Sequence, residues 1–255
     1  MSFDWAFFWR YLVEPSSVYL HGLWLTLSIS VICQLLGTII GLFAALGRLS
    51  SIRALQLVVR FYTWIMRGTP LLVQIVFIYT ALAAGNIFRF EDIDLGFVVL
   101  PGNIQAGIVA LSLNEGAYMA EIIRAGITSV DVGQVEASKS LGMRYHLFMR
   151  RIVLPQAARF IIPPLGNEFN SMLKNTTLLS VIGVPELLLA TQMVTSATFR
   201  VFELYTVVAL YYLSLTTVWG LVQRRIEQHF DQPANGRPAA GRTGGRWRMF
   251  ASRTG

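Results

Sequence analysis

The sequence predicts an all-α, polytopic membrane protein with about five transmembrane helices. Three observations carry that class. Of its 255 residues 54% are hydrophobic and 14% charged, a membrane composition rather than that of a soluble domain. Five apolar stretches reach the roughly 20 residues that a helix needs to cross a bilayer. The basic residues are not spread evenly: of 21 Lys and Arg, five fall between Ile127 and Phe160 and seven follow Val222.

The start, MSFDWAFFWR, lacks a basic n-region and a small-residue cleavage site, so a cleaved signal peptide is not expected. The first span is about Leu20 to Leu46, and its Gly37 and Gly41 stand at GxxxG spacing, which can bring two helices close. Cys33, the single cysteine, sits in this apolar run and reads as a small buried residue; no disulfide framework exists within the chain. The second span runs from about Ala54 to Ala84, with Arg67 expected to snorkel to the inner interface. Pro70 loosens its backbone bonds, and Gln74 in an apolar run reads equally as interhelical glue or as a pathway contact. The third span covers about Gln105 to Ile123. It carries Asn114 and Glu115 beside Gly116, and Glu121 and Arg124 at ion-pair spacing. The fourth is about Ala157 to Val184, where Pro163 and Pro164 are expected to break or kink the helix. The fifth is about Leu204 to Val222.

Loop charges choose an orientation. Arg48 and Arg53 follow the first span, a basic loop follows the third, and Arg224 and Arg225 follow the fifth, whereas Glu91, Asp92 and Asp94 lie between the second and third with only Arg89. Basic loops stay in the cytoplasm, so the N-terminus is expected outside and the C-terminus inside. The net charge of +7 is therefore topological and not a sign of nucleic-acid binding. After Asp231 the composition turns to Gly, Ala, Arg and Pro, which predicts a basic, disordered cytoplasmic tail over 231–255, its arginines resting on anionic membrane lipid.

Absences exclude several chemistries. The only lysines, Lys139 and Lys174, stand in no GxxxxGK[ST] context, so no phosphate-binding loop is present. There is no HExxH, and His21, His146 and His229 lie far apart. A membrane-embedded enzyme using Glu115, Glu121 or Glu168 would need a nucleophile–base pair or metal-ligand cluster that the sequence does not offer. Polar residues inside the spans are more informative, since each costs energy in hydrocarbon unless it faces protein or water. In PPLGNEFNSMLKNTTLL, the residues Asn167, Asn170, Ser171 and Lys174 fall on one helical stripe with Glu168 on its flank. Glu168 is the candidate contact for the amino group of a solute, with Asn167, Gln74, Thr69, Asn114 and Glu115 as further pathway candidates. Asn170, Ser171 and Asn175 read as helix–helix glue.

Between the third and fourth spans stands EASKSLGMRYHLFMRRIVLP, Glu136 to Pro155. It reads as helix, glycine turn, helix, proline stop, with Asp131 capping the first helix and Gln134 answering as in a capping box. Glu136, Ala137 and Ser138, then Gly142, then Leu154-Pro155 resemble the EAA loop by which membrane subunits of ATP-binding-cassette importers dock onto their ATPases; Ser138 replaces the family's Ala with another small residue. RGTPLLVQ (Arg67–Gln74), GAYMAEIIRAGI (Gly116–Ile127), and NEF with KNTTLLSVIGVPEL (Asn167–Leu187) extend the resemblance to the polar amino acid uptake permeases, over roughly Gly22 to Gln228.

That resemblance implies a type I importer permease fold over residues 1–230, with a coupling loop at about 127–160, in the cytoplasmic membrane. It also implies a non-catalytic subunit that binds no cofactor itself, ATP and Mg being held by the partner ATPase. The implied partners are a cytoplasmic ATPase dimer, a second permease subunit, identical or related, and an external solute-binding protein that delivers a polar amino acid. Glu136 is expected to anchor the loop to its own second helix or to the ATPase. A stand-alone secondary transporter or channel for small polar solutes is the alternative.

Overall fold

Asp4 starts the first helix, α1 (Trp5–Val13), by accepting a hydrogen bond from the Phe7 amide. The computed structural model describes residues 3–94, 96 and 99–230, so the tail expected at 231–255 lies outside the described residues. The sequence pattern did not announce α1 as a separate helix. It packs Phe8 against Tyr19, Leu204 and Val207 while Trp5 and Trp9 stay exposed. Its start is clasped to a segment far along the chain: Glu203 accepts from the Asp4 amide at 2.9 Å, and Arg200 reaches Asp4 at 3.2 Å.

The five apolar stretches all form helix, with differences at their prolines. The first is α2 (Ser17–Leu49) and the last α11 (Val201–Phe230); each alone is long and apolar enough to cross a membrane. The second is broken. α3 (Arg53–Gly68) ends at Thr69, and a new helix of α4 (Leu71–Val76), a π-helical stretch (Phe77–Ala81) and α5 (Leu82–Ala84) leaves at 108°. Pro70 is the cause: it forces Thr69 into extended backbone (φ −117°, ψ 148°) and has no N–H to continue the ladder. A two-residue antiparallel pair, β1 (Ile93–Asp94) with β2 (Val99–Leu100), is the only sheet among the described residues.

The third stretch is α6 (Gly102–Thr128), 27 residues or about 40 Å at 1.5 Å per residue, and the centre of the bundle. It packs against α2, α3 and α4, and its polar residues face protein, which is why it is less apolar than a lipid-facing helix. The α2–α6 approach uses the small residues noted in the sequence. A Cβ on Gly37 would lie 2.5 Å from the Glu115 Cγ, and one on Gly41 would overlap Met119. Large apolar side chains such as Trp24, Leu35 and Phe43 on the opposite face of α2 are exposed, the arrangement expected where hydrocarbon replaces water.

α7 (Val132–Ser140) and α8 (Tyr145–Phe148) follow, and from α8 the chain stays helical through a π-helical turn (Met149–Val153), α9 (Leu154–Asn175) and a 3₁₀ stretch (Thr176–Ile182). Neither expected proline break occurs. Pro155 is the second residue of α9 rather than a stop, because the preceding turn widens so that the Leu154 amide bonds to Met149, five residues back. Pro163 and Pro164 lie inside α9, where α11 braces the backbone: Gln223 donates to the Pro163 carbonyl at 3.3 Å and Trp219 to that of Gly166 at 2.8 Å. The helical run bends by 51° after Ile182, into α10 (Leu187–Thr198). Glu186, fully buried, caps α10 through the Leu188 and Leu189 amides and accepts from the Tyr212 hydroxyl.

Candidate functional site

The break at Thr69–Pro70 meets the polar middle of α6, and a cavity of about 490 Å³ opens there. Thr69, Pro70 and Leu71 form one wall, Asn114, Glu115 and Tyr118 a second, and Glu168, Ser171, Asn175 and Leu178 a third. The volume is that of a small-molecule site. Four of the residues singled out in the sequence, Thr69, Asn114, Glu115 and Glu168, are therefore brought together.

Each is held differently. Glu115, 4% exposed, accepts from Gln34 Nε2 of α2 at 2.9 Å. Asn114 donates to the Met66 carbonyl at 3.0 Å and to Gln74 Oε1 at 2.9 Å. Glu168 has no hydrogen-bond partner among the described residues, and it shares the cavity wall with the Glu115 carboxylate. The site thus combines one occupied carboxylate, one available carboxylate, and amide and hydroxyl groups between them. That set suits an ammonium group with polar neighbours.

Two candidates take other places. Gln74 is behind the wall rather than in it: its amide nitrogen donates to the Met66 carbonyl, the Thr69 carbonyl and the Thr69 hydroxyl, tying both sides of the helix break. Asn167 is exposed on the side of α9 that faces α11, where Gln223 reaches it at 3.4 Å. The lining stripe is Glu168, Ser171 and Asn175, at i, i+3 and i+7, one residue round the helix from the Asn167, Asn170, Ser171, Lys174 stripe. Ser171 and Asn175 were expected as glue and Tyr118 was missed. The signal for all three was helical spacing: Ser171 and Asn175 stand three and seven residues after Glu168, and Tyr118 stands four after Asn114 and three after Glu115.

Arg67 is exposed and also touches the wall of the site. Its guanidinium carbon lies 5.2 Å from the centre of the Tyr118 ring, over the protein. Glu121 and Arg124 do form the expected local pair, at 2.8 Å, and Arg48 joins them at 3.5 Å.

The second candidate region is the loop of α7 and α8. Gly142 has φ +66°, the left-handed conformation that the glycine turn required, and no atom stands within 4 Å of a Cβ built on it. Asp131 caps α7 through the Gly133 amide at 2.9 Å, but Gln134 does not complete a capping box. It accepts instead from Gln156 of α9 at 2.6 Å, which ties the loop to the bundle. Ser138 is buried, whereas Glu136, Ala137, Leu154 and Pro155 are exposed. The Glu136 carboxylate bonds to no second helix among the described residues. Around it the loop exposes large apolar surface, with Val132 at 67%, Leu141 at 80% and Tyr145 at 76%.

Comparison with known proteins gives this geometry a context. A family model described as the binding-protein-dependent transport system inner membrane component matches residues 37–232. The chain is 39% identical over 216 residues to the arginine transport system permease protein ArgU of Corynebacterium glutamicum, covering 81% of this chain and 66% of that protein's length. It is 38% identical over 208 residues to a putative glutamine transport system permease protein of Rickettsia bellii, covering 82% of this chain and 90% of the relative. Among solved structures, a crystal structure of an amino acid ABC transporter with histidines superposes with a TM-score of 0.78 at 38% identity, over 90% of this chain and 100% of that one.

Proposed function

The chain belongs to the family of inner-membrane components of binding-protein-dependent transport systems, and from that premise we propose that it is the permease subunit of an ATP-driven importer of polar amino acids. The observation that carries the substrate class is the cavity at the helix break, where the free carboxylate of Glu168 stands with Asn114, Glu115, Thr69, Ser171 and Asn175. Relatives named for arginine and glutamine transport, and a related transporter structure titled with histidines, support a solute bearing an α-amino group.

The chemistry of this subunit is binding and movement. ATP and Mg belong to a partner ATPase, since no phosphate-binding loop exists in the sequence. The loop from Val132 to Phe148 is the coupling element. Its exposed Val132, Leu141 and Tyr145 offer the apolar area that a groove on the ATPase would cover, and Glu136, Ala137 and Gly142 lie on the same exposed segment. Because Gln134 ties α7 to Gln156 at the start of α9, a push on the loop is delivered to the helix that carries Glu168. Two packings of such a bundle give alternating access. A second permease subunit completes the pathway, and a binding protein delivers the solute.

Uptake of labelled arginine, glutamine and histidine into proteoliposomes tests this reading. Accumulation is expected only with the ATPase, the binding protein and ATP all present, and accumulation without the ATPase would favour a stand-alone transporter. Orientation is tested with an impermeant thiol reagent on intact cells in a Cys33→Ser background. Glu91→Cys should be labelled and Ser140→Cys should not; the reverse pattern overturns the outside N-terminus.

A further inference from the structure

Beside the cavity at Glu168 lies a second, a wide-open cleft of about 470 Å³ with Arg60, Trp64, Arg67 and Gly68 exposed, and its charge is opposite. Arg48, Arg60 and Arg67 line it together with Trp64, Gly68 and Tyr118. Two features join the cavities. Tyr118 belongs to the wall of both, and Gly68 of one is followed in the chain by Thr69 of the other. Their order is fixed by α6: Asn114 and Glu115 come first, Tyr118 about one turn later, and Glu121, which holds Arg48, nearly another turn on toward the α7–α8 loop. The basic cavity therefore lies on the loop side of the acidic one.

Resting on the importer reading, we propose that this arginine-lined cavity is an anion-selective second station of the translocation path, which takes the carboxylate of the amino acid after it leaves the chamber at Glu168. The guanidinium groups differ in how far they are already engaged. Arg48 is shared with Glu121 at 3.5 Å and Arg67 is stacked over Tyr118, whereas Arg60 is exposed on the same face of α3, seven residues from Arg67. No carboxylate lines it among the described residues, and Glu121, which reaches Arg48, is already paired with Arg124 at 2.8 Å, so the cavity keeps a positive excess. A planar guanidinium bonds a carboxylate through two parallel N–H groups. A zwitterion held first by its ammonium at Glu168 would turn at Tyr118 and be held next by its carboxylate. Stations of opposite sign in series let each hold be weak enough for release. The same field repels an ammonium approaching from the loop side, which disfavours backward entry of cationic amino acids.

Thiol protection separates this station from the first. In a Cys33→Ser background, Gly68→Cys reports on the basic cavity, where a Cβ meets no atom within 4 Å, and Ser171→Cys reports on the acidic one. The permease, assembled with its ATPase in phosphatidylcholine nanodiscs without nucleotide, is treated with a charged methanethiosulfonate in the presence of L-arginine or L-glutamine, or of the α-amide of each. The free acids should slow modification at both cysteines, and the amides at Ser171→Cys alone. Adding Arg60→Gln should raise the half-protecting concentration at Gly68→Cys roughly tenfold, equivalent to ~1.4 kcal/mol, and leave that at Ser171→Cys unchanged. Equal protection by acids and amides, or protection at Ser171→Cys only, overturns the second station while the importer reading stands. Blocking of Gly68→Cys by phosphatidylglycerol in the disc, with no amino acid, overturns it in favour of a lipid headgroup. No protection at either cysteine removes the acidic chamber as the solute site and the second station with it.

Discussion

The Asn114 side chain donates a 2.9 Å hydrogen bond to the Gln74 Oε1, and both amides also donate to the carbonyl of Met66, at 3.0 and 2.8 Å. This small network joins α6 to both helices of the broken second span. Pro70 and the 108° bend leave backbone carbonyls without helical partners, and the two amides supply the missing donors where water is scarce. Gln74→Leu keeps the bulk and removes every donor, so it should cost about 1–3 kcal/mol, the usual penalty for orphaned buried polar groups. The expected readout is a lower thermal unfolding midpoint in detergent, together with reduced uptake. An unchanged midpoint would mean that the break holds itself.

The α2–α6 contact predicts a contrast between two glycines. Gly37→Ala places a methyl against the Glu115 side chain that Gln34 holds, and overpacking of this kind costs about 1–3 kcal/mol. Gly220→Ala meets nothing within 4 Å and relieves a helical glycine, so it should be neutral or stabilising by up to ~1 kcal/mol. Thermal midpoints of the two variants in one detergent decide it; equal midpoints would remove the close approach as a determinant of stability.

Gly142 allows conformation and contact to be separated. Its φ of +66° sets the turn, yet the space around it is open within this chain. Asn and Asp tolerate the left-handed region, whereas other side chains there cost roughly 1–2 kcal/mol. Both variants should therefore keep the turn, but Gly142→Asn should support nearly normal ATP-driven uptake and Gly142→Asp, which adds charge to the exposed loop, should not. Loss of uptake and of ATPase co-purification in both variants would instead point to an ATPase surface lying directly on the glycine.

How much of this was visible in the sequence depends on the range of the interaction. Local rules found Gly142, the Asp131 cap, the Glu121–Arg124 pair and the small-residue face of α2, because each is decided within a few residues or by one helix period. The clasp of Asp4 to Glu203 joins residues 199 apart in the chain, and no pattern near either end announces it. The three prolines inside α9 misled for a related reason: whether a proline breaks a helix depends on how the surrounding structure braces it. At Pro163 and Pro164 α11 bonds to the adjoining backbone, and at Pro155 the preceding turn is widened. The polar stripe on α9 was placed one residue off because the helix has two polar faces, one toward Gln223 and one toward the cavity. Polarity alone does not tell them apart.

Glu168 carries the sharpest expectation. Glu115 has its Gln34 donor and a buried position, so its removal would disturb the bundle as well as the chamber. Glu168 has no such tie, stands on the cavity wall, and forms the stripe with Ser171 and Asn175. Glu168→Gln keeps the volume and removes only the charge. A charge-assisted hydrogen bond to an ammonium is worth roughly 1.5–3 kcal/mol, so uptake at limiting solute should fall about ten- to hundredfold. The loss should be greatest for arginine, with two cationic groups, and smallest for glutamate. Expression, thermal midpoint and ATPase co-purification should be unchanged, because no hydrogen bond of the fold runs through this carboxylate among the described residues. A structural role makes the opposite pattern, a lowered midpoint with the ranking of arginine, glutamine and glutamate preserved. Unchanged uptake of all three at equal expression would take Glu168 out of the pathway.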